Sequence, residues 1–451
     1  MFTIPQLDSI DKARMLKNAN INEMNKYTFP AGFIWGSSTS SHQVEGGNLN
    51  DWTEWEKLNA VRLAQEAPGK FAAKIPHWEQ IKDMATNPGS YISGKAADHY
   101  ARFREDIELM ESLNIKAYRF SIEWSRIEPE PGKWNQEGVD HYREVIRTLR
   151  EKNIEPFVTL WHRTNPLWIA QNGDWANKET VERFLNYVHK VVQEYGSEVK
   201  YWMTLNEPAL CAGGGFVSGQ YPPNIKNPIK GWQALNNFAS AHNRAYTIIH
   251  NIRPDAVVGI PHAAIYVEPY KNKLVNHLIV SLVHYFGNWK FLDSIKDYVD
   301  FIGIQYYSRG LIDLRLGSNL LPKVEQIDVG RPKSDMGWEI YPEGIYNVIK
   351  KVHKRYHIPL YITENGIADA NDTHRQTYIQ EHLKYIHRAI SDEFDVRGYF
   401  YWSLLDNLEW DKGFWPRFGL VEVDYKTQKR TVRPSARVLA EIIKNNRLEL
   451  T

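Results

Sequence analysis

Eight short apolar runs alternate with long amphipathic helical patterns along most of the 451-residue chain. Most of the runs lack polar–apolar alternation, which is typical of strands buried on both faces. Eight such strands alternating with eight helices predict an α/β fold, a closed parallel (β/α)8 or TIM barrel. The predicted strands are Phe33–Ser37, Ala117–Trp124, Glu155–His162, Lys200–Asn206, Ala256–Pro261, Phe301–Tyr307, Leu360–Glu364 and Gly398–Leu404.

The alternative architecture is an open doubly wound sheet. That fold would normally carry a G-x-G-x-x-G fingerprint after its first strand, and this pattern does not occur in the chain. No linker rich in Pro, Gly or Ser divides the sequence, so we expect one barrel domain over residues 27–451, preceded by an N-terminal extension, residues 1–26. Two long segments, Trp35–Ala97 and Arg309–Met336, are predicted to form loops over the C-terminal face of the barrel.

The predicted helices lie between and after these strands. They extend from about His99 to Leu113, from near Glu137 onward, and over Glu179–Tyr195, Trp232–Ile252, Leu274–Ile295, Pro342–Tyr356, Arg375–Ile390 and Pro434–Asn445.

Charge and cysteine content limit the partners and the compartment. Lys and Arg number 55 against 54 Asp and Glu, so the net charge of +1 gives no reason to expect a nucleic-acid or anionic-membrane partner. The single cysteine, Cys211, excludes an internal disulfide and fits a reducing compartment. Charges interrupt the N-terminal segment and no stretch reaches the length of a membrane span, so we expect a cytoplasmic protein.

The ends of the predicted strands carry acids, amides, a histidine and tryptophans. In a TIM barrel these ends form the active-site face. The side chains expected to meet there are Arg119, His162, Asn206, Glu207, Gln305, Tyr307, Glu364, Trp402, Asp406, Glu409 and Trp410.

Glu207 and Glu364 are the most informative of these residues. Each directly follows an apolar run and precedes a helix breaker or turn residue. Cleavage of a glycosidic bond needs two carboxyl groups, one protonated to donate to the leaving oxygen and one ionised to attack or to activate water. A single glutamate at a strand end is more often solvated or caps a helix. Two on strands four and seven, near Trp and His, favour catalysis.

Three motifs carry a specific family resemblance. They are Thr204-Leu-Asn-Glu-Pro208, Ile362-Thr-Glu-Asn-Gly366 and Trp402-Ser-Leu-Leu-Asp-Asn-Leu-Glu-Trp410, the last followed by Arg417-Phe-Gly-Leu-Val421. From Phe29 to Pro434 the chain resembles glycoside hydrolase family 1, the β-glucosidase family, and looks most like its archaeal and bacterial members.

The resemblance implies a role for each site residue. Glu207 would be the acid/base and Glu364 the nucleophile, with Arg119 and Tyr307 holding the nucleophile. Trp402 would form a stacking platform beneath the sugar. The side chains expected to bind sugar hydroxyls are Gln43, His162, Asn206, Glu409 and Trp410.

The implied reaction is hydrolysis of terminal, non-reducing β-D-glycosyl residues with retention, through a covalent glycosyl-enzyme intermediate. The substrate would be a small β-glycoside or short oligosaccharide, with glucosides first and galactosides, fucosides and mannosides left open. No metal and no cofactor are expected, since neither H-E-x-x-H nor a paired Cys/His spacing occurs. A homo-oligomer is left open.

Elementary electrostatics agrees with these roles. Arg119 is a permanent cation and would favour ionised Glu364, while a Tyr307 hydroxyl would donate to the same carboxylate. The charge of Glu364 would then keep a proton on Glu207 by repulsion, which suits carboxyl groups about 5–5.5 Å apart in a retaining enzyme. Glu409 argues against a 6-phosphorylated sugar, because a phosphate would need a cation or hydroxyl there.

Two residues depart from the family pattern. Gln305 stands where the family usually has Asn, and Arg163 where it usually has Trp or another aromatic residue. Both changes concern recognition around the 3-hydroxyl of the sugar. Arg163 is left out of the predicted site.

Three other functions are rivals to a retaining β-glycosidase. A transglycosylase would use the same site and intermediate. A catalytically inactive sugar-binding barrel is disfavoured by the presence of both glutamates, Arg119 and Tyr307. A metal-dependent barrel hydrolase lacks its ligand motifs.

Overall fold

The computed structural model describes residues 26–75, 77–316 and 322–450. Its centre is a closed barrel of eight parallel strands in which each strand pairs with the next, and the last pairs with the first. The predicted TIM barrel is therefore confirmed. The strands are β1 (Ile34–Ser38), β2 (Ala117–Ser121), β3 (Glu155–Trp161), β4 (Tyr201–Leu205), β5 (Val257–Ala263), β6 (Phe301–Gln305), β7 (Leu360–Asn365) and β8 (Val396–Trp402).

Bulky rings and small residues alternate inside the barrel. Phe157, Phe301 and Phe400 pack there with Ala117, Met203 and Tyr361 in one buried cluster. A Cβ atom added to Gly259 would lie 2.3 Å from the ring of Phe301, so only glycine fits at that position. This packed layer closes the barrel interior and leaves its C-terminal rim for the site.

Along each strand, the inward-facing positions continue from this layer to the rim. Side chains two residues apart share a face, so Arg119 follows Ala117 on β2 and Trp402 follows Phe400 on β8. The pairing of β7 is irregular between Ile362 and Glu364 on the β6 side and between Ile362 and Asn365 on the β8 side. Strict alternation from the inward-facing Tyr361 would turn Glu364 away from the interior, and the irregularity re-aims it.

Long amphipathic helices surround the barrel. Helix Glu179–Tyr195, for example, buries Val181, Phe184, Val188 and Val191, spaced three or four residues apart. Each predicted helix is present, and the one expected at 274–295 is interrupted by a π-helical turn, Tyr285–Trp289. The helices are His99–Ser112, Gln136–Glu151, Glu179–Tyr195, Pro228–Ile252, Leu274–His284, Lys290–Ile295, Glu343–Tyr356, Arg375–Ser391 and Pro434–Asn445.

The two long segments predicted to cover the C-terminal face contain short helices and strands of their own. The first, from Trp35 to Ala97, includes helices Ser41–Val44, Asp51–Phe71 and Trp78–Ala85 and a 3-10 turn, Pro88–Tyr91.

The helix Asp51–Phe71 forms for two physical reasons. Asn50 caps it by accepting a hydrogen bond from the backbone N–H of Thr53. Trp52, Trp55 and Leu63, on one face, are buried in a cluster that includes Trp410. The second segment contains an antiparallel pair, Arg309–Leu316 and Pro322–Gln326, which a third strand, Tyr266–Pro269, extends.

Short elements complete the described chain. Lys26–Thr28 pairs antiparallel with Arg447–Glu449, and the predicted extension, 1–26, lies outside the described residues apart from Lys26. None of the described helices combines the length and apolar character that crossing a membrane requires. The remaining elements are helices Trp124–Ile127, Leu167–Gln171 and Pro208–Cys211, a π-helical turn, Ala212–Val217, 3-10 turns Asp174–Ala176 and Trp410–Lys412, and strands Val421–Val423 and Arg430–Val432.

Candidate active site

Glu364, near the end of β7, is held by three donors. Nη1 of Arg119 and Nε2 of Gln305 each donate to Oε1 at 2.5 Å, and the hydroxyl of Tyr307 donates to Oε2 at 2.6 Å. The carboxyl is buried, and Arg119 is fully enclosed. Because both oxygens are engaged, the carboxyl has one defined orientation.

The proton affinity of Glu364 results from opposing influences. Burial raises its pKa to about 7, the cation of Arg119 opposes that effect, and the nearby charge of Glu207 adds to it. The hydroxyl of Tyr307 donates to the ionised form and lowers the pKa of Glu364. Arg119 therefore limits the effect of burial on this carboxyl without cancelling it.

Glu207 lies directly after β4 in a left-handed backbone conformation, with φ 51° and ψ 51°. Such a conformation is unfavourable for glutamate, and strained positions of this kind cluster at active sites. The backbone is fixed because the N–H of Glu207 donates to the carbonyl of Pro261 at 3.0 Å and Pro208 starts a short helix. The carboxyl is buried next to that of Glu364.

Arg163 lies against Glu207, although it was not predicted for the site. Its Nη2 donates a hydrogen bond to Oε2 of Glu207, and its guanidinium lies 5.3 Å from the ring centre of Trp410. Burial alone would lower the pKa of Arg163, but the charge and hydrogen bond of Glu207, with Cys211 and Tyr221, together raise that pKa well above its ordinary value. In the sequence, the sign of this contact was that Arg163 stands where the family usually has an aromatic residue.

Asn206, which precedes Glu207 in the chain, bonds to two of the residues that hold Glu364. Its Oδ1 accepts hydrogen bonds from Nη2 of Arg119 at 2.5 Å and Nε2 of Gln305 at 2.9 Å. Gln305, the second departure, thus donates to both Asn206 and Glu364. Its longer side chain binds the predicted nucleophile directly, a contact that the sequence pattern did not indicate.

His162 is held in one tautomer. The amide of Asn206 lies 3.1 Å from its Nε2, which must accept, since Oδ1 of Asn206 already faces two donors. Burial, with Arg119 and Arg163, lowers the pKa of His162 well below its ordinary value, so the ring is neutral. Among the described residues, Nδ1 of His162 and Oε1 of Gln305 are buried without a hydrogen-bond partner. Unsatisfied groups of this kind at a cleft can bind a polar ligand.

Two tryptophans and an acid complete the cluster. The ring of His162 lies 6.1 Å from that of Trp402 and 6.0 Å from that of Trp410, at interplanar angles of 20° and 17°. Glu409, beside Trp410, is half-buried, and its carboxyl makes no hydrogen bond within the described residues. Burial raises the pKa of Glu409 to about 8, against the opposing charge of Arg163.

Gln43 fixes the segment that carries Glu409 and Trp410. Its Nε2 donates to the carbonyl of Leu408 at 2.8 Å and to Oδ1 of Asn407 at 3.0 Å. The structure therefore brings together every residue predicted for the site: Gln43, Arg119, His162, Asn206, Glu207, Tyr307, Glu364, Trp402, Glu409 and Trp410. Within the described ranges, no three His, Cys, Asp or Glu side chains are grouped as metal ligands.

Comparison with known proteins agrees with this geometry. A β-glycosidase from Pyrococcus horikoshii is 38% identical, with a TM-score of 0.83 over 94% of this chain and 96% of that one. β-Glucosidase A of Thermotoga maritima is 36% identical over 94% of this chain and its own full length. A β-galactosidase of Sulfolobus acidocaldarius is 30% identical over 93% of this chain and 96% of its own.

The family comparison covers almost the whole described chain. The model of glycosyl hydrolase family 1 matches residues 25–293 and 288–448. This chain is a glycoside hydrolase and belongs to glycosyl hydrolase family 1.

Proposed function

We propose that this glycoside hydrolase is a retaining β-glycosidase, with β-glucosides as its first substrates, in which Glu364 is the nucleophile and Glu207 the acid/base. The observation that carries the proposal is the triple hydrogen bonding of the Glu364 carboxyl beside Glu207. A carboxylate so oriented can attack along a single direction, which lowers the entropic part of the barrier.

The reaction takes two steps. In the first, Glu364 attacks the anomeric carbon while Glu207 protonates the glycosidic oxygen, which releases the aglycone and leaves a glycosyl ester. In the second, Glu207 removes a proton from water, and the resulting oxygen nucleophile displaces Glu364 and regenerates both carboxyl groups. Two inversions at one carbon retain the β configuration.

Arg163 acts differently on the two steps. Its cation favours ionised Glu207, and this opposes the first step, in which Glu207 must hold a proton. In the second step Glu207 must be ionised to accept a proton from water, and the same cation supports that state. Arg163 therefore shifts the balance between glycosylation and deglycosylation toward the second step.

The sugar would lie against the tryptophans and polar groups beside the two carboxyls. Trp402 offers an apolar platform, and Gln43, His162, Asn206, Glu409 and Trp410 would hold its hydroxyls. Relatives named as β-glucosidases and a β-galactosidase both match this chain, which supports glucosides first with galactosides second. Fucosides and mannosides stay open, and Glu409 disfavours a 6-phosphorylated sugar.

The proposal is tested with a panel of nitrophenyl β-glycosides, using wild type and Glu364→Ala. We expect turnover of the glucoside by wild type only, and the β anomer as the first product in early-time NMR spectra. An α anomer formed first would refute retention. No turnover of any glycoside would favour the inactive sugar-binding barrel.

Two further features belong to this proposal. Transglycosylation would use the same intermediate, and added sugar acceptors measure it as new glycosides. A cytoplasmic location is supported by the single cysteine, Cys211, which is buried.

A further inference from the structure

A groove of about 850 Å³ lies at the mouth of the active site. Trp338 is on its wall, and the ring of Trp338 lies 5.7 Å from that of Tyr307, which bonds to Glu364. Asp411 and Lys412, also on the wall, directly follow Trp410. The groove therefore adjoins the site and is placed to hold the aglycone.

The groove has a pronounced charge. Five cationic side chains and one carboxylate, that of Asp411, line it, although the whole chain has a net charge of only +1. Clefts lined by one sign of charge concentrate the field and attract opposite charges. The cations are Arg62, Lys70, Lys74, Lys226 and Lys412.

The cations differ in their partners. Arg62 and Lys70 share Glu66 at 3.0 and 2.6 Å, and Lys412 pairs with Asp411 at 2.6 Å. No carboxylate of the described chain lies within ion-pair distance of Lys74 or Lys226, both of which are exposed. These two lysines are therefore free to meet an anion from solution.

The backbone places both lysines at the groove. A Cβ added to Gly337, next to Trp338, would lie 2.9 Å from the carbonyl oxygen of Lys74, so these two segments are in direct contact. A Cβ added to Gly219 would lie 2.7 Å from Cγ of Lys226, so the stem of this lysine crosses Gly219. Phe71, Trp338 and Trp415 add aromatic surface between the charges.

We propose that the groove selects β-glycosides whose aglycone is an aromatic ring bearing an anionic group such as a carboxylate. The ring would pack on the aromatic wall, and Lys74 and Lys226 would attract the anion. This inference rests on the proposed β-glycosidase function and adds the class of aglycone to it.

The test compares 4-carboxyphenyl β-D-glucoside with its neutral counterpart, 4-carbamoylphenyl β-D-glucoside, in wild type and in Lys74→Ala/Lys226→Ala. The quantity measured is the ratio of kcat/KM for the two substrates, and leaving-group differences cancel when that ratio is compared between enzymes. We expect the double variant to lose about 3–10-fold in the ratio. The wild-type ratio should also fall between about 20 mM and about 500 mM NaCl because salt screens exposed charges.

Two more double variants are compared, one with reversed charge at the groove and one as a control. Lys74→Glu/Lys226→Glu should reverse the preference, whereas Lys296→Ala/Lys354→Ala, two exposed lysines away from the groove wall, should leave the ratio unchanged. A far-UV circular dichroism spectrum and a Tm that match those of wild type show that each variant is folded. A ratio that is the same in wild type and both Lys74/Lys226 variants overturns the inference. An enzyme inactive on every glucoside refutes the proposed function instead, and calorimetric binding of the carboxyphenyl and carbamoylphenyl thioglucosides then decides the inference alone.

Discussion

The guanidinium of Arg163 donates a hydrogen bond to Oε2 of Glu207, so a permanent cation lies on the carboxyl that we propose as the acid/base. Burial strengthens this contact, since little water lies between the two groups to screen it.

Replacing Arg163 with Gln should extend activity to more alkaline pH. Removal of the positive charge favours the protonated form of Glu207 over the ionised form. We expect the alkaline limb of kcat/KM for phenyl β-glucoside to move to higher pH. Arg163→Lys keeps the charge and should leave the profile close to that of wild type. Superimposable profiles of wild type and Arg163→Gln would contradict the role assigned to this contact.

The two glutamates should respond differently to the leaving group. Glu364→Ala removes the nucleophile and should reduce kcat at least about 1,000-fold with every aglycone. Glu207→Ala removes the general acid and should slow cleavage of phenyl β-glucoside about 100–10,000-fold, while bond cleavage in the 2,4-dinitrophenyl glucoside should change far less. Glu441→Ala, an exposed glutamate on an outer helix, is the control. Equal losses for both aglycones in Glu207→Ala would remove the acid role.

Activity should rise with pH through about 7, where Glu364 loses its proton, since burial raises the pKa of this carboxyl to about 7. Below that value the nucleophile is protonated and inactive, so kcat/KM should fall about tenfold per pH unit. Tyr307→Phe removes a donor that lowers the pKa of Glu364 and should move this limb to higher pH. If the acidic limb of the kcat/KM profile of wild type lay near pH 4 instead, the nucleophile would titrate as an exposed glutamate does.

Gln305 should contribute through its amide donor. Gln305→Met keeps the length of the side chain but removes the hydrogen bonds to Glu364 and Asn206. A charge-assisted hydrogen bond contributes about 1.5–3 kcal/mol, so kcat/KM should fall about 10-fold or more. Gln305→Asn retains an amide and should lose less. If the Met variant matched wild type, Gln305 would have no part in holding the nucleophile.

A buried acidic pair behind the site should make stability depend on pH. Burial raises the pKa of Asp174 to about 6, and Asn165 donates to both Asp174 and Asp51 at 3.1 and 3.2 Å. The pKa of Asp174 is higher in the folded protein than in the unfolded chain. Its contribution to the free energy of unfolding is therefore complete below the unfolded pKa and is lost as the pH rises through about 6.

Asp174→Asn removes this titration. Relative to wild type, the free energy of unfolding of the variant should increase by up to about 3 kcal/mol as the pH rises from about 4 to about 8. The measurement is the difference in Tm between the two proteins, which should widen with pH. Asp255→Asn, an exposed aspartate, is the control. A Tm difference between wild type and Asp174→Asn that stays constant with pH would show that Asp174 does not carry this dependence.

The sequence by itself determined the barrel and the two glutamates. Apolar runs without alternation predict strands buried on both faces, and Ala117–Ser121 or Phe301–Gln305 follow this local pattern closely. Since parallel strands of a barrel end on one face, the positions of Glu207 and Glu364 at two strand ends are enough to assign both to the same rim. Periodicity also determined the outer helices, because each presents one apolar stripe to the barrel.

Only the tertiary structure decided the direction of Arg163, the contact of Gln305 with Glu364 and the charge of the groove. These features join residues far apart in the chain, as Arg163 and Glu207 or Gln305 and Glu364 do, and local periodicity carries no information about such pairs. The irregularity in β7 that turns Glu364 inward is a property of strand pairing. Likewise, helix Asp51–Phe71 packs its tryptophans against Trp410, and burial of those rings against a distant segment places Arg62 and Lys70 on the groove.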